Sequence, residues 1–218
     1  MTSASENLSK ALPHMAMATK AIHADDSARE PSQLIQMENK DPNAPVGSHV
    51  YGRYSAPNAS RFETVLQHLF GGGSIMTYST GLAAFHAAMV LLNPRKVCVG
   101  PGYHGVHSVI ELVGKLSGVH KLGLEDQDLD QLRPGDVVHI ETPVNPTGEV
   151  RDLAYYRARA HATGAYLVVD STLAPRPLQD PLFFGADLVL HSGTKYIGGH
   201  SDLMCGIPVV HPDRVREG

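Results

Sequence analysis

The chain has 218 residues, of which 42% are hydrophobic and 18% are charged, so it can form one large globular domain or two small ones. Its formal net charge of −4 gives no reason to expect binding to nucleic acid or to an anionic membrane. The two cysteines lie in apolar surroundings, which favours buried thiols and a reducing compartment over a disulfide framework. The longest mostly apolar run, 82–92, is too short to span a bilayer, and the N-terminus lacks a signal-like apolar region. We therefore expect a cytoplasmic protein.

Residues 1–55 are rich in Ser, Asn, Asp and Pro and show no hydrophobic period, which predicts an irregular N-terminal arm. A large domain is expected over residues 56–218. Its first helix is predicted to begin at Ser60, where Ser60 and Glu63 form a capping box, and to end at the glycines 71–73.

Strands and helices then alternate. The sequence predicts strands at 75–78, 97–100, 137–140, 166–169, 188–190 and 207–210, and helices at 81–92, about 105–116 and 153–163. Asp152 is the expected N-cap of the last helix, and Gly164 is expected to close it. Apolar strands alternating with helices indicate an α/β fold of three layers, with a mainly parallel sheet between helices on both faces.

Polar residues follow the ends of these strands. They are Tyr103, Glu141, Asn145, Asp170, Ser192 and Lys195. Ligands of parallel sheets collect beyond the carboxyl ends of the strands, so this edge is the predicted site. No group of the 13 histidines has a convincing metal-ligand spacing, and we expect no metal.

Lys195 lies in the segment 192–202, which reads Ser-Gly-Thr-Lys-Tyr-Ile-Gly-Gly-His-Ser-Asp. An amine next to hydroxyl groups and a Gly-Gly turn suits a Schiff base formed beside a phosphate. The alternative is an exposed lysine in a solvated loop, as most lysines are. The segment resembles the cofactor-lysine segment of the Cys/Met-metabolism family of pyridoxal-phosphate (PLP) enzymes. That family includes cystathionine γ-synthases, cystathionine lyases, methionine γ-lyases and homocysteine-forming sulfhydrylases.

Further segments resemble the same family in the same order, from about Ala18 to Val210. They are the N-terminal signature 18–24, Tyr51-Gly52-Arg53, Thr80-Gly81-Leu82, Tyr103 and the run Glu141-Thr142-Pro143-Val144-Asn145-Pro146. The resemblance implies the large domain of PLP-transferase fold type I, with pyridoxal 5′-phosphate as cofactor and an amino acid as substrate. It also implies a homo-oligomer, since Tyr51 and Arg53 would reach the cofactor phosphate of the neighbouring subunit.

Asp170 ends an apolar strand, and a carboxylate in such a place needs a partner. The protonated pyridine nitrogen of the cofactor is a suitable one, whereas a helix cap or a structural ion pair is the alternative. The resemblance makes Lys195 and Tyr103 the catalytic residues, with the tyrosine also stacking on the cofactor ring. An ordinary half-buried tyrosine is the competing interpretation of Tyr103.

The resemblance places the remaining candidates around the cofactor. Thr80, Gly81, Leu82, Ser192 and Thr194 would surround the phosphate, Asn145 would lie near the ring oxygen, and Glu141 and Thr172 would complete the binding set. A helix N-terminus suits phosphate because its amides are unpaired, although many strand-to-helix turns carry glycine without binding one. Arg53 on the surface of an arm is likewise open to a structural interpretation.

The sequence departs from the family pattern at Ala56-Pro57-Asn58, at His104-Gly105-Val106 and at Asp170-Ser171-Thr172. Family members also continue into a C-terminal domain that binds the substrate carboxylate, and neither Arg214 nor Arg216 matches its arginine motif. The predicted function is a PLP-dependent carbon–sulfur lyase or γ-substituting transferase of sulfur amino-acid metabolism. The alternative is a truncated, non-catalytic remnant that binds the cofactor or serves in dimerisation.

Overall fold

The computed structural model describes residues 57–215, and the chain divides into two compact units whose boundary lies between Gly72 and Gly73. Helix α1 (Pro57–Leu69) belongs to the first unit. It ends as predicted, with Gly71 and Gly72 in positive-φ conformations of 74° and 114° that favour glycine.

The predicted start of α1 is wrong. The helix begins at Pro57, whose fixed φ and missing N–H suit the first turn of a helix. Ser60 therefore lies inside the helix, where its carbonyl accepts a hydrogen bond of 2.8 Å from the Thr64 hydroxyl. The proposed capping box of Ser60 and Glu63 does not mark the helix terminus.

The second unit alternates strands and helices. In chain order these are β1 (Ser74–Ile75), α2 (Gly81–Leu92), β2 (Lys96–Val99), α3 (His104–Ser117), β3 (His120–Leu122), α4 (Asp126–Leu129), β4 (Val137–Glu141), α5 (Leu153–Thr163), β5 (Tyr166–Asp170), β6 (Leu188–Ser192), β7 (Gly206–Val210) and a 3₁₀ turn (Pro212–Arg214). Strand β1 is shorter than predicted, because Tyr78 forms only an isolated bridge with Gly206. The short polar elements β3 and α4 were not predicted.

The caps of α5 are confirmed. The Asp152 carboxylate accepts a hydrogen bond of 3.1 Å from the N–H of Tyr155, which gives an otherwise unpaired amide an acceptor. Gly164 follows the helix with a φ of 73°, and a β-carbon there would lie 3.1–3.3 Å from Pro134. Both helix ends are therefore fixed by local chemistry.

The seven strands form one sheet in the order β1-β7-β6-β5-β4-β2-β3. The pairs from β6 across to β3 are parallel, whereas β7 is antiparallel to both β6 and β1. The prediction of a mainly parallel sheet is confirmed. Glu141 lies opposite Asp170, and Asp170 lies opposite Leu190, so the carboxyl ends of β4, β5 and β6 meet at one edge.

Helices cover both faces of the sheet. On one face, buried side chains of α2 and α3 pack against alternate strand residues that include Val97, Val137, Val168 and Leu188. The intervening residues of β4 and β5 are equally buried, and α5 lies along these two strands. This is the expected three-layer α/β architecture. Within residues 57–215, no helix combines the length and apolarity needed to cross a membrane.

Shortening a buried side chain of the central strand β5 should destabilise the fold. Leu167 is 0% exposed, so we expect Leu167→Ala to lower the free energy of unfolding by about 2–5 kcal/mol. Leu116 is 74% exposed, and the matched Leu116→Ala change should stay within about 0.5 kcal/mol of wild type. Urea denaturation of the three proteins measures both values. Equal losses in the two variants would contradict the assigned core.

Candidate active site

Three polar residues end neighbouring strands at one edge of the sheet. Glu141, Asp170 and Ser192 are the last residues of β4, β5 and β6. The structure brings them together as the sequence predicts, because the parallel register aligns the strand ends.

The Asp170 carboxyl is the most perturbed acid at this edge. Burial raises its pKa from 3.8 to about 6, against the opposing effect of hydrogen bonds from the hydroxyl and the N–H of Thr172. The N–H of Thr172 donates to Oδ1 at 2.9 Å, and the nearby Glu141 carboxylate raises the pKa further. Asp170 is therefore an acid whose pKa is strongly raised by its surroundings, which is a property of functional sites.

Thr172 also fixes the end of the next strand. Its hydroxyl oxygen accepts a hydrogen bond of 2.8 Å from the N–H of Ser192. Since the N–H of the same residue donates to Asp170, Thr172 links the ends of β5 and β6. The sequence placed Thr172 in the binding set but did not indicate this bridging contact.

The N-terminus of α2 lies against the end of β6. Thr80 caps the helix, since its side-chain oxygen accepts a hydrogen bond of 3.0 Å from the N–H of Ala83. A β-carbon on Gly81 would lie 3.2 Å from Cβ and 3.4 Å from Oγ of Ser192, so only glycine allows this approach without displacement. Unpaired first-turn amides and the positive end of the helix dipole thus face the same edge as the Ser192 hydroxyl.

Tyr103 precedes α3 and is 38% exposed. Its Cε1 lies 2.8 Å from the position that a β-carbon on Gly105 would occupy, and Cδ1 of Leu82 lies 2.9 Å from the same point. Gly105 therefore gives the tyrosine ring room beside the first turn of α2. The sequence showed Gly105 only as part of a departure from the family pattern, because this packing joins residues distant in the chain.

Glu141 holds the loops that carry Tyr103 and Asn145. Its Oε2 accepts a hydrogen bond from the N–H of Tyr103, and its Oε1 accepts one from the N–H of Asn145, both at 2.7 Å. Gly102 leaves space for the carboxylate, since a β-carbon there would clash with Oε2 of Glu141.

Lys195 lies in the turn that follows β6, and its side chain is exposed. Its N–H donates to the carbonyl of Ser192 at 3.1 Å, and its carbonyl accepts from the N–H of Gly199 at 2.7 Å. Thr194 anchors the turn, because its hydroxyl oxygen accepts a hydrogen bond of 3.2 Å from the N–H of Cys205. Lys195 and Thr194 line an open depression of about 740 Å³.

Contacts connect most of the predicted site residues. The connected residues are Thr80, Gly81, Leu82, Tyr103, Glu141, Asn145, Asp170, Thr172 and Ser192. Thr194 and Lys195 follow Ser192 in the chain after the single residue Gly193. The predicted residues Tyr51 and Arg53, and the signature 18–24, lie outside the described residues.

Three buried titratable groups on the strands, His139, His191 and Cys98, are poorly suited to acid–base or nucleophilic chemistry. Burial lowers the pKa of His139 to about 3 and that of His191 to about 4, so both are neutral at ordinary pH. Burial raises the pKa of Cys98 to about 12, which leaves the thiol protonated and a poor nucleophile. In the part of the chain that the structure describes, no group of three or more His, Cys, Asp or Glu side chains could hold a metal ion.

The chain has relatives among known proteins. Residues 21–217 match the model of the family described as Cys/Met metabolism PLP-dependent enzyme. The chain is 36% identical to L-methionine γ-lyase of Streptomyces avermitilis, over 88% of this chain and 52% of the relative. It is 35% identical to cystathionine γ-lyase of Saccharomyces cerevisiae, over 87% of this chain and 52% of the relative.

The fold has solved counterparts. The crystal structure of metB from Corynebacterium glutamicum superposes with a TM-score of 0.81 and 28% identity, over 94% of this chain and 58% of that one. The chain thus spans about half the length of the curated relatives that it matches.

The raised pKa of Asp170 predicts a pH-dependent cost to folding in the absence of any ligand. The folded protein holds the proton more tightly than the unfolded chain, so the contribution of Asp170 to stability is present below about pH 4 and is lost as the pH rises through about 6. We expect Asp170→Asn to remove this cost. Relative to wild type, its free energy of unfolding should rise as the pH increases from about 4 to about 7, by up to about 3 kcal/mol.

Urea denaturation of the ligand-free proteins at several pH values measures this difference. Asp152→Asn is the matched control, because Asp152 is exposed and asparagine also caps helices. Its difference from wild type should stay within about 0.5 kcal/mol throughout. A pH-independent difference between Asp170→Asn and wild type would show that Asp170 has an ordinary pKa.

Proposed function

Because the chain belongs to the Cys/Met metabolism family of PLP-dependent enzymes, we propose that it is a carbon–sulfur lyase or γ-substituting transferase of sulfur amino-acid metabolism. The observation that carries this proposal is the Asp170 carboxyl, whose pKa burial raises to about 6 at the edge of the sheet where Lys195 follows β6. Relatives named as methionine γ-lyase, cystathionine γ-lyase and cystathionine γ-synthase support a substrate of the cystathionine, homocysteine or methionine type.

The residues at this edge fit pyridoxal 5′-phosphate. Asp170 suits the protonated pyridine nitrogen, because a cation there compensates the loss of hydration of the carboxylate. The first-turn amides of Gly81 and Leu82 suit the phosphate, and the Ser192 hydroxyl lies next to them. The Thr194 hydroxyl would complete the phosphate site.

Tyr103 and Asn145 would lie beside the cofactor ring, and Thr172, which is hydrogen-bonded to Asp170, would complete the set around it. Tyr103 is partly exposed and packs beside Leu82, which supports a position against the ring. When bound, pyridoxal phosphate supplies an electron sink that stabilises negative charge on the substrate Cα.

Two residues of this chain would move protons. Lys195 would hold the cofactor covalently through Nζ and, once displaced by the substrate, its amine would take the proton from Cα. Tyr103 would hold and deliver a proton at its phenolic oxygen when the sulfur-containing group leaves. The exposed position of Lys195 in a depression open to solvent supports access for an amino-acid substrate.

We also propose that the protein works as a homo-oligomer in the cytoplasm. Tyr51 and Arg53, which lie outside the described residues, would complete the phosphate site of a neighbouring subunit, where the planar guanidinium suits a phosphate. Both cysteines are buried and not joined in a disulfide, which supports a reducing compartment.

Attachment at Lys195 is directly testable. We expect the purified chain to take up pyridoxal phosphate with a new visible absorption band and, after borohydride reduction, to carry the cofactor mass on the peptide that contains Lys195. Lys195→Ala should lose both signals, because no other amine would occupy this place. Lys115→Ala, an exposed lysine on α3, is the control and should retain them. A labelled peptide elsewhere, or an unchanged Lys195→Ala spectrum, would refute the assignment.

The Asp170→Asn substitution should stabilise the ligand-free fold but weaken the binding of pyridoxal phosphate. We expect Asp170→Asn to raise the Kd for pyridoxal phosphate by roughly 10- to 100-fold, the equivalent of one charge-assisted hydrogen bond of about 1.5–3 kcal/mol. Titration of the visible band at neutral pH measures the Kd, and Asp152→Asn serves again as the control. A wild-type Kd in Asp170→Asn would contradict the placement of Asp170 in the cofactor site.

Turnover is tested with the same protein. Cystathionine and methionine are each added to the cofactor-loaded chain, and O-acylhomoserine is added together with cysteine. Release of 2-oxo acid and ammonia measures elimination, and formation of cystathionine from O-acylhomoserine and cysteine measures γ-substitution. Either activity supports the proposed enzyme. A protein that binds the cofactor at Lys195 but converts none of them would contradict the proposed activity.

A further inference from the structure

The Glu141 carboxylate joins two loops that follow different strands. The Tyr103 loop follows β2, and the Asn145 loop follows β4; each donates one backbone N–H to a separate oxygen of Glu141 at 2.7 Å. Hydrogen bonds of this length to a carboxylate are among the stronger ones in proteins. One side chain therefore joins the two loops.

We propose that Glu141 is a positioning residue, which fixes Tyr103 and Asn145 relative to each other without contacting the cofactor. The inference rests on the proposed function, since it is there that Tyr103 and Asn145 lie beside the cofactor ring. It differs from the expectation that Glu141 binds the cofactor: the two backbone amides give each carboxylate oxygen a partner, which accounts for the side chain without a cofactor contact. Small displacements of aligned groups can lower a reaction rate by as much as about 100-fold, so such a residue acts at a distance.

The chemistry of the side chain makes this role specific. Glutamine has nearly the same shape as glutamate but offers one acceptor oxygen and one NH₂ donor. In Glu141→Gln, one of the two loop amides would face a donor and lose its partner. Glu141→Asp keeps both acceptors but is one methylene shorter, so it cannot reach both amides in the present arrangement of the loops.

The opposite end of β4 supplies a matched control. Asp136 is buried and directly precedes β4. Its Oδ1 accepts from the N–H groups of Arg95 and Lys96 at 3.2 and 2.8 Å, and its Oδ2 accepts from the N–H of Arg133 at 2.8 Å. Asp136 therefore joins loops by the same chemistry as Glu141, but at the edge of the sheet away from the candidate site.

The test compares wild type, Glu141→Gln, Glu141→Asp and Asp136→Asn in the full 218-residue chain. Amide hydrogen exchange of Tyr103 and Asn145 is measured without cofactor, and visible circular dichroism is measured with pyridoxal phosphate bound. We expect Glu141→Gln to lose roughly 10-fold or more of the protection at one of the two amides and to change the dichroism of the bound cofactor. Asp136→Asn should lower Tm at least as much, yet retain the wild-type dichroism and the protection at both amides.

The outcomes separate this inference from the proposed function. Wild-type exchange and dichroism in Glu141→Gln would overturn the positioning role alone. An equal change of dichroism in Asp136→Asn would show a general effect of stability and would also overturn it. If Glu141→Gln does not fold, Glu141→Asp decides by the same two measurements. A wild-type chain that binds no pyridoxal phosphate would overturn the proposed function, and this inference with it.

Discussion

The partly desolvated carboxylate of Asp170 is the constraint on which the candidate site depends. Parallel strands place the end of β5 between β4 and β6, where water has limited access and burial raises the pKa of the acid to about 6. The hydrogen bonds from Thr172 offset only part of this cost. A poorly hydrated carboxylate at this edge of the sheet is stabilised by a cation placed beside it. The protonated pyridine ring of the proposed cofactor is such a cation.

Two glycines allow the segments around Asp170 to pack closely against each other. Gly81 brings the first turn of α2 against Ser192, and Gly105 leaves the space that Tyr103 and Leu82 share. Glu141 then joins the Tyr103 loop to the Asn145 loop through two short hydrogen bonds. Loops held in this way by the ends of rigid strands can orient a cofactor more precisely than loops that move freely.

Local signals in the sequence predicted the elements whose boundaries are set locally. Helices α2 and α5 were located to the residue, because Thr80, Asp152 and Gly164 cap them with their own side chains or conformations. The start of α1 was wrong because a proline three residues earlier is an equally good first residue of a helix. Strand β3 and helix α4 were not predicted, because elements of three and four residues with a single leucine each carry no hydrophobic period.

In the candidate site too, local features were predictable and long-range contacts were not. Its residue types follow from strand ends and from a resemblance between motifs, both of which are visible in the chain. The contacts that give those residues their roles are not, since Glu141 and Tyr103 lie 38 positions apart and Thr172 and Ser192 lie 20 apart.

The ¹⁵N chemical shift of the ring nitrogen in labelled pyridoxal phosphate bound to this chain tests the central claim most directly. The pairing with Asp170 predicts the shift of a protonated pyridine at neutral pH, whereas the shift of an unprotonated ring would contradict it.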